Sequence, residues 1–149
     1  MKFLFDANVY FALLHDPRAF TRHRNDLARI GPRLFLSSVV RAELLQGAKG
    51  ELGRARVNRA TRSLEQAGRV VSPTHDDWVT AGTVQGKIWD DAPALRSKRL
   101  LHDILIVCAA RRIGAVVVAE NTADFSLICE YLVHRAVTMD EIAGALSAR

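Results

Sequence analysis

The sequence predicts an α/β fold, three layers with helices on both faces of a central, mostly parallel sheet of four to five strands. Two observations carry this. Short β-branched or apolar runs alternate along the chain with longer stretches of helical periodicity, and strands spaced by helices pair in parallel with helices on both faces. The runs are also separated by breakers, Gly31-Pro32, Gly68, Ser72-Pro73 and Gly114, at the places where such elements must end.

Taken in order, KFLF (2–5) is the first strand, an apolar run too short for a helix. Helical patterns follow over about 7–15 and 19–30, and RLFLS (33–37) is the second strand. Ser38 is a candidate N-cap for a helix over 38–48, because a hydroxyl there satisfies free N–H groups. A further helix over 51–67 leads to the strand RVVS (69–72), and another over 75–91 to a helix at 100–113. AVVVA (115–119) is the most hydrophobic strand. A helix over 124–131, a short strand HRAV (134–137) and a helix over 139–147 complete the chain.

The 149 residues suffice for one domain, 1–149, with a sizeable core. Hydrophobic residues at 49% and charged residues at 25% are ordinary for a soluble globular protein. Runs such as ILIVCAA fall far short of the roughly 20 residues of a membrane span. The N-terminus lacks the pattern of a signal peptide. Cys108 and Cys129 form no CxxC motif, and a cytoplasmic location is expected. The charge balance of 21 basic to 16 acidic residues, with arginine supplying 17 of the 21, favours a polyanionic partner.

Four acidic residues stand out by position. Asp6 ends the first strand, Glu43 lies in SSVVRAELLQG after the second, Asp103 opens the apolar helix LLHDILIVCAARR, and Asp124 follows the strand AVVVA with Asn121 between. Singly, each has a plain structural account, as a helix cap, a dipole partner or a solvent-facing residue. Jointly, all four gather at the C-terminal edge of the sheet, where open parallel sheets bind ligands. Converging carboxylates repel one another and raise their own pKa values. A divalent cation relieves that repulsion, and an oxygen-only donor set selects a hard ion such as Mg²⁺ or Mn²⁺. Beside basic surface, such a site suits phosphodiester hydrolysis by metal-activated water. No covalent nucleophile is evident, since Ser37 and Ser38 lack a G-x-S-x-G setting.

These residues resemble a known family. DAN after the first strand, the Ser38–Leu44 segment, LLHDILIVCAA around Asp103 and ENTADF at 120–125 are similar to the motifs of PIN-domain ribonucleases. Their order and the chain length match most closely the VapC-type toxins of bacterial toxin–antitoxin pairs. The resemblance runs from Asp6 to about residue 140. It implies a PIN-like fold and a Mg²⁺- or Mn²⁺-dependent endoribonuclease acting on tRNA or rRNA. Asp6, Glu43 and Asp103 would be catalytic metal ligands, with Asp124 as the fourth. Asn8, Ser38 and Asn121 would give polar support. The chain departs from the family at Ala119, where relatives commonly carry Thr or Ser. The resemblance further implies a homodimer and a small VapB-like antitoxin that silences it.

Arg96, Lys98 and Arg99, just before Asp103, are candidate RNA contacts, whereas Arg54, Arg56, Arg59 and Arg62 read equally well as a solvated helix face. Trp78 and Trp89 fall on one helical face and are expected to pack in the core or between subunits. His102 adjoins Asp103 but points about 100° away on a helix and is expected at the surface or behind the metal ligands. A PIN module that binds RNA or protein without cleaving it is the alternative. A phosphoacceptor receiver domain is rejected, because RVVSPTH supplies no Asp at the third strand and AVVVAENT no lysine after the later one.

Overall fold

A computed structural model describes residues 1–147. In chain order the elements are β1 (Lys2–Phe5), α1 (Ala7–His15), α2 (Pro17–Arg22), α3 (Arg24–Ile30), β2 (Leu34–Ser37), α4 (Ser38–Gly47), α5 (Gly50–Gln66) and β3 (Val70–Val71). They continue as α6 (His75–Asp91), α7 (Leu101–Ile113), β4 (Ala115–Val118), α8 (Ala123–Cys129), β5 (Ala136–Val137) and α9 (Ile142–Ser147). The five strands form one sheet in the order β3-β2-β1-β4-β5, and every pairing is parallel.

That order places the reversal of winding beside β1. From β1 the chain steps outward through β2 to β3, then returns to the other side of β1 for β4 and β5. Right-handed crossovers running in opposite directions put their helices on opposite faces, which gives the three layers. They also open a crevice beyond the carboxyl ends of β1 and β4. The register pins these two ends together: Phe5 lies opposite Val118, and the Asp6 amide donates to the Val118 carbonyl at 2.8 Å.

The core follows from the apolar runs. Phe3, Leu4 and Phe5 of β1 and Val116, Val117 and Val118 of β4 are buried, as are all seven residues from Ile104 to Ala110. A helix apolar on every side must be enclosed, and α7 lies against β1, β4, α4, α6 and α8. Gly114 ends it in the left-handed region, φ +67°, where a side chain would be strained. Arg112 then ties its last turn to α6, donating to Asp77 Oδ2 at 3.1 Å and to the Ser72 carbonyl at 2.6 Å.

Several expected boundaries shift. The single helix expected over 19–30 is two, α2 and α3, divided at His23 (φ −100°, ψ 9°); Pro17 starts the first of them a turn's half earlier because Asp16 accepts from the Arg18 amide. The N-cap of α4 is Ser37 rather than Ser38: the wholly buried Ser37 hydroxyl accepts from the Val39 amide at 3.2 Å. The segment 139–147 begins as a 3₁₀ turn, Met139–Glu141, before α9. Trp78 is 49% exposed and so is no core residue, whereas Trp89 is partly buried against the core.

Candidate functional site

Each of the four carboxylates is delivered by a different element. Asp6 stands at the junction of β1 and α1 and is only 7% exposed. It occupies the N-cap position of α1 without a side-chain capping hydrogen bond. Glu43 projects from the second turn of α4, Asp103 from the first turn of α7 and Asp124 from the first turn of α8. A small groove of about 340 Å³ is lined by Asp6, Asn8, Glu43 and Asp103. Gly47 shapes its far side, since a Cβ there would come within 2.6 Å of the Phe11 ring.

The electrostatics show that the four share one field. Asp103 is pushed up to about 7, chiefly by burial and then by the charges of Asp6, Asp124 and Glu43, with His102 pulling the other way. Asp6 is raised by burial and by Glu43 and Asp124, while the amides of Ala7 and Asn8 oppose the shift. Desolvation and like charge act in the same direction on both groups.

Two of the four acids already have a basic side chain as partner. Lys98 Nζ lies 2.5 Å from Asp124 Oδ1, and His102 Nδ1 lies 2.9 Å from Glu43 Oε1. Among the described residues, no three His, Cys, Asp or Glu side chains are drawn together so as to hold a metal ion as they stand. In chemistry the donor set fits a hard divalent cation, because the donors are all oxygen. A metal ion held by these acids would compete with Lys98 for Asp124 and with His102 for Glu43.

The remaining candidate residues separate. Asn8 lines the acidic groove and is exposed. Asn121 Oδ1 accepts from the Ala123 amide at 3.0 Å, which commits it to starting α8. Ser38 is the first residue of α4 and makes no side-chain hydrogen bond to the acids among the described residues, the capping being done by Ser37. Of the basic residues before Asp103, Arg99 lines a second cavity together with Glu43 and Asp103, Lys98 is on Asp124, and Arg96 faces Asp90 at 4.0 Å. Arg54, Arg56, Arg59 and Arg62 are all exposed on α5.

Sequence reasoning missed the residues that hold the basic loop in place. Gln85 Oε1 accepts from the Leu100 amide at 2.6 Å, and Trp89 Nε1 donates to the Lys98 carbonyl at 3.1 Å. Gln85 and Trp89, one helical turn apart on α6, thereby clip the segment carrying Lys98 and Arg99 and set the start of α7. The available signal was a glutamine among the inward positions Ala81, Val84 and Ile88. His102, expected at the surface or behind the metal ligands, is exposed and meets Glu43 Oε1 at 2.9 Å through Nδ1.

The family model of the PIN domain matches residues 3–130, and the chain belongs to the PIN domain family. Among solved structures, it is similar to VapBC2 from Rickettsia felis bound to a promoter DNA fragment (17% identity, TM-score 0.63, 93% of this chain and 98% of that one). It is also similar to DNA-bound VapBC from Salmonella typhimurium (21%, TM-score 0.62, 93% and 98%) and to FitAcB from Neisseria gonorrhoeae (20%, TM-score 0.60, 92% and 97%). No curated protein matches the sequence.

Proposed function

We propose that this chain is a Mg²⁺- or Mn²⁺-dependent endoribonuclease, the toxin half of a VapBC-type pair. The observation that carries the reading is the gathering of Asp6, Glu43 and Asp103 round one groove at the sheet edge, with Asp124 near enough that its charge adds to the burial and the other carboxylates that raise Asp103. Such mutual repulsion is costly in a resting fold and is relieved by a divalent cation. A cation held there supplies an activated water and neutralises charge on a scissile phosphate.

The chain's own residues fill the remaining roles. Asp6, Glu43, Asp103 and Asp124 are the metal ligands, with Asn8 at the groove's mouth and Asn121 holding the turn that presents Asp124. Arg99 and Lys98 border the acids and are suited to phosphate oxygens, which arginine in particular binds bidentately. RNA of the tRNA or rRNA class is the substrate. The protein acts as a homodimer in the cytoplasm; no described helix is long and apolar enough to cross a membrane.

The similar structures come from complexes named VapBC and FitAcB, which supports a VapB-like antitoxin as partner. A groove beside the acids suits it: Phe11, Leu14, Leu52 and Val57 line about 560 Å³. Phe11 and Gly47 are shared with the acidic groove, and Leu52 is 86% exposed.

The test is RNA cleavage by purified protein. Asp6→Asn and Asp103→Asn are expected to abolish Mn²⁺-stimulated cleavage, by about a hundredfold or more, while circular dichroism shows the fold retained. Undiminished cleavage by both variants overturns the mechanism. Expressed without an antitoxin, the parent protein arrests growth and Asp103→Asn does not. Toxicity that persists in the variant turns the reading toward RNA or protein binding without cleavage.

A further inference from the structure

Between α6 and α7 runs a strap, residues 92–100, and its fastenings are of two kinds. Trp89 Nε1 on α6 donates to the Lys98 carbonyl at 3.1 Å, and Gln85 Oε1 accepts from the Leu100 amide at 2.6 Å. Within the strap, the amides of Leu95 and Lys98 donate to the Ala92 and Leu95 carbonyls, each at 2.8 Å. All of these join neutral groups to the main chain. One further tie differs in kind: Lys98 reaches across to α8 and places Nζ 2.5 Å from Asp124 Oδ1.

Lys98 is thus pinned by its carbonyl to α6 and by its ammonium to one of the four acids. Asp124 is the acid that does not line the groove formed by Asp6, Glu43 and Asp103. Its charge still reaches that groove, since it adds to the rise of both Asp6 and Asp103. An ammonium on Asp124 offsets this part of the field. The pair is open to water, with the Lys98 side chain 43% and the Asp124 side chain 27% exposed. An exposed pair of this kind is weak and exchanges readily, whereas a buried one would resist separation.

We propose that Lys98 is the resting counter-ion of the acidic site, a latch that occupies Asp124 until a divalent cation takes its place. This latch presupposes the metal-dependent reading and adds its regulation. A lysine held on Asp124 cannot at the same moment hold a phosphate oxygen. The contact of Lys98 with phosphate is therefore conditional on the ion, and by linkage an occupied phosphate contact favours the ion in turn. Because Trp89 and Gln85 keep the strap on α6, the exchange frees the ammonium without unfolding the segment that carries it.

The test is acylation of lysines by an N-hydroxysuccinimide ester, read residue by residue by mass spectrometry on the full chain. Lys2, Lys49 and Lys87, all exposed, are the internal controls. In EDTA, Lys98 is expected to react about two- to fivefold more slowly than after addition of Mn²⁺, the factor that an exposed ion pair carries, while the controls hold their rates. Asp124→Asn keeps the shape and removes the partner, and its Lys98 is expected to react at the faster rate with or without Mn²⁺. Calorimetry on the same samples reports Mn²⁺ binding, and the comparison within the parent protein needs no substitution.

Mn²⁺ that binds while the Lys98 rate stays unchanged overturns the latch and leaves the metal site standing. A Lys98 that reacts equally fast in the parent and in Asp124→Asn without metal also overturns it, because the pair is then not held in solution. Mn²⁺ that does not bind at all overturns both the latch and the metal-dependent reading. Ion-dependent release of Lys98 in protein that cleaves no RNA supports the latch and overturns the nuclease reading.

Discussion

Asp103→Asn in ion-free protein exposes the electrostatic cost of the site directly. Burial and three neighbouring carboxylates raise Asp103 from 3.8 to about 7. A carboxyl raised on folding contributes stability that is fully present below its unfolded pKa and is lost as pH rises through the folded value. The window here runs from about pH 4 to about pH 7. Forcing ionisation across it costs on the order of 4 kcal/mol at pH 8, and solvent reaching a partly exposed carboxyl trims this toward about 2 kcal/mol. Asparagine keeps the shape and removes the charge.

In EDTA at pH 8, Asp103→Asn is therefore expected to be more stable than the parent by about 2 kcal/mol, or roughly 4–8 °C in Tm for a chain of this size. The advantage shrinks as pH falls toward 5. Urea titration at both pH values with matched m-values measures it. Adding Mg²⁺ reverses the order, because the ion stabilises only protein that binds it. An Asp103→Asn protein less stable than the parent in EDTA at pH 8, or a difference that ignores pH, refutes the claim that these carboxylates repel one another.

Two further outcomes follow from named contacts. Lys98→Met removes the cation paired with Asp124, so Mg²⁺ no longer has to displace an exposed ion pair worth about 0.5–1 kcal/mol; Mg²⁺ binding by calorimetry should tighten roughly two- to fivefold, and an unchanged or weaker affinity counts against the exchange of partners. Gly114→Ala places a side chain at φ +67° and should lower stability by about 1 kcal/mol in urea titration; an Ala variant as stable as the parent would show the turn to be replaceable.

Much of the fold was legible because strand and helix patterns are local. KFLF and AVVVA had to be enclosed strands, and the unbroken apolar run from Ile104 to Ala110 had to be a buried helix. The break at His23 was not legible, because the periodicity of 19–30 continues across it. Ser37 and Ser38 are chemically equivalent as caps, and the choice fell to the residue whose extended backbone ends β2. Of the two tryptophans, Trp89 packs against the core while Trp78 is exposed in the single chain, because a shared helical face states only that two side chains point the same way. It does not state that anything covers them.

At the site, the sequence by itself singled out the four acids as candidates for one common edge. Each follows a strand or opens a helix, and parallel topology then fixes where those ends lie. The tertiary structure alone decided what stands beside them. Lys98 on Asp124, His102 on Glu43, and Gln85 and Trp89 clipping the loop between them join residues 59, 26, 15 and 9 positions apart in various pairings. No local period encodes such contacts, because they exist only once α4, α6, α7 and α8 are packed round the same end of the sheet.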